Sequence, residues 1–160
     1  MSRKNIGSWL AIGATVALVL APATVALAGI GEELTLSQTH ALLAYRTGGR
    51  GERGITQGHM YVQHVLNCLV GPGGEGYDLT QPPLGAGRNP AATAPSPMDP
   101  CASDKTNKGA LNDATSPAQK QKVQAAIDLA KAALAITDNE KLTEAATALA
   151  DAVGEAKDTK

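Results

Sequence analysis

The stretch GHMYVQHVLNC, Gly58 to Cys68, places two histidines, a methionine and a cysteine within eleven residues. Imidazole, thioether and thiolate are the donors that soft and borderline metal ions take from proteins. Met60, His64 and Cys68 follow one another at intervals of four, which aligns them in one row along a helix. In reduced form that row suits a soft ion such as Cu(I). His59 and His64 are five apart, about 140° on a wheel of 100° per residue, so a straight helix does not aim both at one ion. His40 is the third histidine and belongs to an earlier segment. If its face meets the Gly58–Cys68 segment, His40 would approach His59 or His64 and build a site between helices. Tyr45, Tyr61, Glu32 and Glu33 would then supply oxygen ligands or hydrogen bonds around it. The plain alternative is that these histidines are solvated or capped.

Cys68 has a competing use. Cys68 and Cys101 are the only cysteines, and an exported chain meets an oxidising compartment. A Cys68–Cys101 disulfide is expected, worth about 3–4 kcal/mol in the chain-entropy account. It removes the strongest ligand of the row and leaves Met60 and His64 as a weak pair.

Export itself is read from the N-terminus. Arg3 and Lys4 precede the apolar run WLAIGATVALVLA, Pro22 breaks it, and Ala26-Leu27-Ala28 gives a small-x-small cleavage pattern. Residues 1–28 therefore read as a signal peptide, cut after Ala28, with an uncleaved anchor as the alternative. The protein is expected in the periplasm or outside the cell. No later apolar segment is long enough for a membrane span. The 132 residues after Ala28 carry a charge of about −3, which is not the concentrated basic surface of a nucleic-acid binder. Their only aromatics are Tyr45, Tyr61 and Tyr77, so the core must be built from Leu, Val, Ile and Ala.

The elements that must position the histidines follow from periodicity. A helix is expected from about residue 33 to 47, ended by Gly48 and Gly49. It is apolar on two faces, one with Leu34, Ala41, Leu42 and Tyr45, the other with Leu36 and Leu43. A glycine-rich connector leads to a second helix at about residues 55–70. Its core stripe is Ile55, Val62, Leu66 and Leu69, with His64 and Cys68 on the reverse side. Residues 71–116, with seven prolines and seven glycines, read as a long irregular excursion. A third helix opens at Ser116 through the capping box SPAQ, with Val123, Ile127, Ala130 and Leu134 on its inner face. A second capping box, TDNE at Thr137, opens a fourth helix with Leu142, Ala146, Leu149 and Val153 inside. The domain plan is a signal peptide 1–28, a helical hairpin 29–70, a Pro/Gly-rich loop 71–116 and an alanine-rich hairpin 117–157. The fold class is all-α, a four-helix up-down bundle made of two hairpins.

Histidines spaced along paired short helices in a small exported chain resemble the small metal-binding proteins of the bacterial periplasm. The resemblance is carried by THALLAYRTGG followed by GHMYVQHVLN, about Gln38 to Leu69. It implies a helical bundle that binds divalent metals such as copper, with His40, His59 and His64 as the matching positions. That family carries more histidine than the three residues present here.

Other chemistries lack their motifs. There is no Cys-x-x-Cys-His for covalent haem, although Met60 and His40 leave a non-covalent haem open as a weaker alternative. No phosphate-binding glycine loop follows a strand, and no nucleophile motif surrounds a serine. DKTNKG places Lys108 in a calcium-ligand position, where it repels the ion. The expectation is a non-enzymatic exported bundle that binds copper or another divalent metal ion through His40, His59, His64 and Met60. The alternative is a structural module whose alanine-rich hairpin packs on a protein partner or a second copy.

Overall fold

The structure is a computed structural model and describes residues 29–48, 52–80, 99–103 and 106–160. The expected signal peptide and residues 81–98 of the excursion lie outside the described residues.

Helix α1 spans Ile30–Gly48, starting three residues before the expected position. Glu32 and Glu33 lie in its first turn, where acidic side chains complement the helix dipole. The amides of both donate to the Gly29 carbonyl at 2.8 and 3.3 Å. Its buried side is Leu34, Ser37, His40, Ala41, Ala44 and Thr47. This corrects the expected apolar face. Leu42 and Tyr45 are exposed, at 44% and 47%, because the small residues turn inward and let α1 lie close to two neighbours. Leu43 packs partly against the core.

Helix α2 spans Glu52–Val70 and is buried on all sides from Met60 to Val70. Val62, Leu66 and Leu69 join the core as expected, while Ile55 is only partly covered. The reverse side, where His64 and Cys68 are expected and the disulfide is expected to tie down the excursion, is covered as well. His64 is 1% exposed and Cys68 is fully enclosed. The cover comes from α1, whose His40 meets His64, and from the described part of the excursion, which is covalently tied to α2 at Cys68. Cys68 and Cys101 form the expected disulfide, with Cα atoms 5.1 Å apart across a sequence separation of 33.

The excursion is also less irregular than its composition suggests. It contains two one-turn helices, α3 at Pro100–Ser103 and α4 at Ala110–Asp113. Between α2 and α4 two glycines meet backbone to backbone. Gly71 has φ 69° and Gly109 has φ 87°, a region that L side chains rarely adopt. A Cβ on Gly109 would stand 2.3 Å from the Val70 carbonyl carbon, and one on Gly71 would stand 2.2 Å from the Lys108 carbonyl oxygen.

Helix α5 spans Pro117–Leu134 and helix α6 spans Asn139–Asp158. Ser116 caps α5 as expected, its hydroxyl accepting from the Gln119 amide at 3.1 Å. The reciprocal half of that capping box does not form. The Gln119 side chain instead donates to the Thr159 carbonyl at 3.0 Å, joining the start of α5 to the end of α6. At α6 the cap is Asp138, whose carboxylate accepts from the Lys141 amide at 2.9 Å. Asp138, not Thr137, thus holds the position before the first helical residue, and its side chain meets the third amide of the helix.

The long helices assemble into a helical bundle. α1 packs against α2 and α6, and α5 packs against α6 and α2. The His59 end of α2 meets Ile136 after α5, and Gln38 of α1 meets Lys157 near the end of α6. The core is made of Leu34, Val62, Leu66, Leu69, Val123, Ile127, Leu142, Leu149 and Val153 with interleaved alanines. There is no strand among the described residues, and no helix among them is long and apolar enough to cross a membrane.

Two outcomes follow for stability. Gly109→Ala is expected to destabilise the protein by about 2 kcal/mol or more, since strained φ and a backbone clash coincide; urea unfolding would measure it. Replacing both Cys68 and Cys101 by Ser is expected to cost about 3–4 kcal/mol through the freed loop, read from the same unfolding curves.

Candidate metal site

His40 and His64 come from adjacent faces of α1 and α2 and meet inside the protein. Their Nδ1 atoms are 3.3 Å apart, and their rings lie 5.0 Å apart at 76°. Tyr61 borders both, with ring centroids 5.7 Å from His40 and 6.1 Å from His64. The reason for the meeting is local. His40 sits on α1 between the buried Ser37 and Ala44 turns, and the small residues on that face draw α2 close.

A 3.3 Å contact between two ring nitrogens has two chemical meanings. As a hydrogen bond, one Nδ1 carries the hydrogen and the other accepts. As a ligand pair, two nitrogens at metal distances of ~2.0–2.1 Å and a tetrahedral angle stand ~3.3–3.4 Å apart. The spacing therefore suits a shared ion without large movement. The Nε2 of His64 and the hydroxyl of Ser37 are buried and have no hydrogen-bond partner among the described residues. Leaving such a group unsatisfied costs about 1–3 kcal/mol.

Burial controls the protonation of the pair. It pushes the His40 pKa from 6.5 down to about 4, with the neighbouring His64 adding to the shift and the Asp99 charge opposing it. Burial likewise lowers His64, and Asp99 again opposes. Both imidazoles are thus neutral at ordinary pH, the form that ligates metals.

Asp99 connects the pair to the excursion through Asn67. Asn67 is fully buried and uses both ends of its amide. Its Oδ1 accepts from Gln63 Nε2 at 3.0 Å and from the Asp78 amide at 2.9 Å. Its Nδ2 donates to the Asp78 carbonyl and to Asp99 Oδ2, each at 2.7 Å. Asp99 Oδ1 accepts from the Cys101 amide at 3.0 Å. Asn107 continues the seam, donating to the Cys101 carbonyl at 2.9 Å and accepting from the Gly109 amide at 2.8 Å.

The other expected ligands are distributed differently. His59 Nε2 donates to the Ile136 carbonyl at 2.7 Å, so it fastens the α5–α6 turn and stays apart from the pair. Met60 is buried at 1% exposure, one turn before His64. Tyr45 and Glu32 are exposed, while Glu33 is buried and accepts from the Gly109 amide at 3.2 Å. Cys68 and Cys101 stand close to Asp99, but a disulfide sulfur offers no thiolate. Asp99, Asn67, Gln63 and Ser37 were not singled out from the sequence. The available signal was polar residues flanking the cysteines, Asn67 before Cys68 and Asp99 two before Cys101.

No protein-family model, curated protein or solved structure matches this chain.

The buried pair makes stability depend on pH. The unfolded chain takes up a proton at His40 near pH 6.5, the folded chain only near 4. Stability is therefore full above pH 6.5 and falls as pH drops toward 4, by about 3 kcal/mol at most. Urea midpoints measured at intervals from pH 7.5 to 4 should decline, and His40→Asn should flatten the decline. A wild-type profile without slope in that window would count against a buried neutral pair.

Proposed function

We propose that this is an exported, non-enzymatic metal-binding protein whose His40–His64 pair holds a copper ion, with the buried Met60, one turn before His64 on α2, as a thioether ligand. Its architecture is read as a four-helix up-down bundle of α1, α2, α5 and α6, with the excursion laid across α2. The observation that carries the reading is the 3.3 Å separation of two buried Nδ1 atoms, the edge length of a tetrahedral ligand set. Neutral imidazoles and a thioether favour Cu(I) over hard ions, which take oxygen. Asp99 supports a cation here, since its charge acts on both histidines. The export reading rests on residues 1–28 and on the disulfide, which belongs to oxidising compartments.

A second reading, a structural module, is favoured by one observation. Leu129 of α5 is 37% exposed on the alanine-rich hairpin, where a partner protein or a second copy would cover it.

Titration of the residue 29–160 chain with Cu(I) buffered by a competing chelator separates the two. The metal reading expects one equivalent bound, with His40→Ala and His64→Ala each weakening affinity at least about 10-fold, or 1.4 kcal/mol, and His59→Ala leaving it unchanged. Equal affinity in all three variants would defeat it. Concentration-dependent association lost on Leu129→Glu would favour the module instead.

A further inference from the structure

The row Met60, His64, Cys68 poses a conflict between a disulfide and a soft-metal site, and the geometry resolves it as an alternation. The ligand atoms of Cys68, Asp99 and Cys101 lie within 4.8 Å of one another, and all three residues are buried. We propose that the chain, once its disulfide is open, forms a zinc site from the Cys68 and Cys101 thiolates and the Asp99 carboxylate, with His64 as fourth ligand. This proposal does not rest on the copper reading; the two share His64 as a ligand and the charge of Asp99.

Distance, donor type and charge support zinc. Tetrahedral zinc with Zn–S bonds of ~2.3 Å needs sulfurs ~3.8 Å apart, against ~2.0 Å in a disulfide. The sulfurs need to part by under ~2 Å, within the present spread of the cluster. Asp99 is already aimed, through its bonds to Asn67 Nδ2 and the Cys101 amide. A carboxylate offers about four acceptor directions, so these bonds and a metal bond coexist. His64 lies outside that 4.8 Å cluster but one turn before Cys68 in the same row; it is 1% exposed and carries a buried Nε2 without a hydrogen-bond partner, so a side-chain movement is what would bring it into the fourth position. Two thiolates balance Zn²⁺, leaving one excess charge from Asp99. Cu(I) in the same set leaves two, which burial penalises more. Calcium and magnesium are excluded by the sulfurs.

The chemistry balances with a dithiol as reductant. The dithiol gives two electrons and two protons and closes its own disulfide. The Cys68–Cys101 bond breaks, and each sulfur becomes a thiol. Zinc then binds the two thiolates, releasing two protons to solvent. Because both sulfurs are buried, the reduced state belongs to chain that has not yet closed its disulfide or has opened transiently. Metal and disulfide then exclude each other, so zinc opposes oxidation and oxidation expels zinc.

Cobalt(II) reports on such a site. The residue 29–160 chain, reduced in denaturant and refolded without oxygen, should bind one Co²⁺ with thiolate-to-cobalt charge-transfer absorption, bleached by one equivalent of zinc. The oxidised chain should show no such band. His64→Ala and Asp99→Asn should each weaken binding about 10-fold or more, while His40→Ala, which removes the copper pair, should leave the band. Zinc should also slow reoxidation, followed by thiol counting. If the reduced chain is unfolded, a gain of helicity on adding zinc supports the site. Absence of the thiolate band, no zinc-induced folding, or equal affinity in the His64 and Asp99 variants would overturn it.

Discussion

The constraint from which most of this structure follows is the burial of a polar helix. α2 carries Gln63, His64 and Asn67 among its aliphatic residues, and all of them are enclosed. A buried amide without partners costs more than its hydrogen bonds return. Asn67 meets this with four bonds, two of them to the backbone of Asp78. Among the described residues the excursion is held to α2 by polar pairing and one covalent link, with Ala110 in the core and Tyr77 and Leu111 packed against it. Removing either would leave α2 with polar groups facing nothing suitable.

The same burial makes the histidines interesting. On an exposed helix His64 would be a solvated imidazole. Beneath the excursion it loses water, faces His40, and is kept neutral along with it. Asp99 supplies a negative charge that acts on both histidines and is itself positioned by Asn67 and the Cys101 amide. The disulfide, the amide hub and the histidine pair thus form one connected region on the face where α1, α2 and α3 meet. Chemistry at any one of them is felt by the others.

The alanine-rich half has a different role. α5 and α6 close the core through small residues, which permit near approach but bury little area each. Gln119 joins the start of α5 to the end of α6 through Thr159, and His59 of α2 fastens the α5–α6 turn through Ile136. The second of these uses a histidine that the sequence offers equally well as a metal ligand. A backbone carbonyl at a helix end is a common demand, and only the location of the turn shows that His59 answers it.

Local signals were legible wherever the physics is local. The 4-3-4 spacing of Val123, Ile127, Ala130 and Leu134, the Ser116 cap and the pairing of two lone cysteines require no knowledge of distant chain, and the structure contains each of them. The wheel also separates His59 from His64 correctly, because it depends only on helical pitch. The disulfide alone implied that the excursion is tied to the Cys68 side of α2. The excursion's composition lacks any period, so it gave no sign of α3 and α4 or of how fully His64 is enclosed. Which face of α1 turns inward was equally hidden, since Leu42 and Tyr45 are more apolar than the Ser37 and His40 that displace them. By itself, then, the amino-acid order determined the helices, their caps and the sulfur link, all set by short-range geometry. Tertiary packing alone decided that His40 meets His64 and that Asn67 and Asp99 stand beside them, because solvent exclusion depends on segments far apart in the chain.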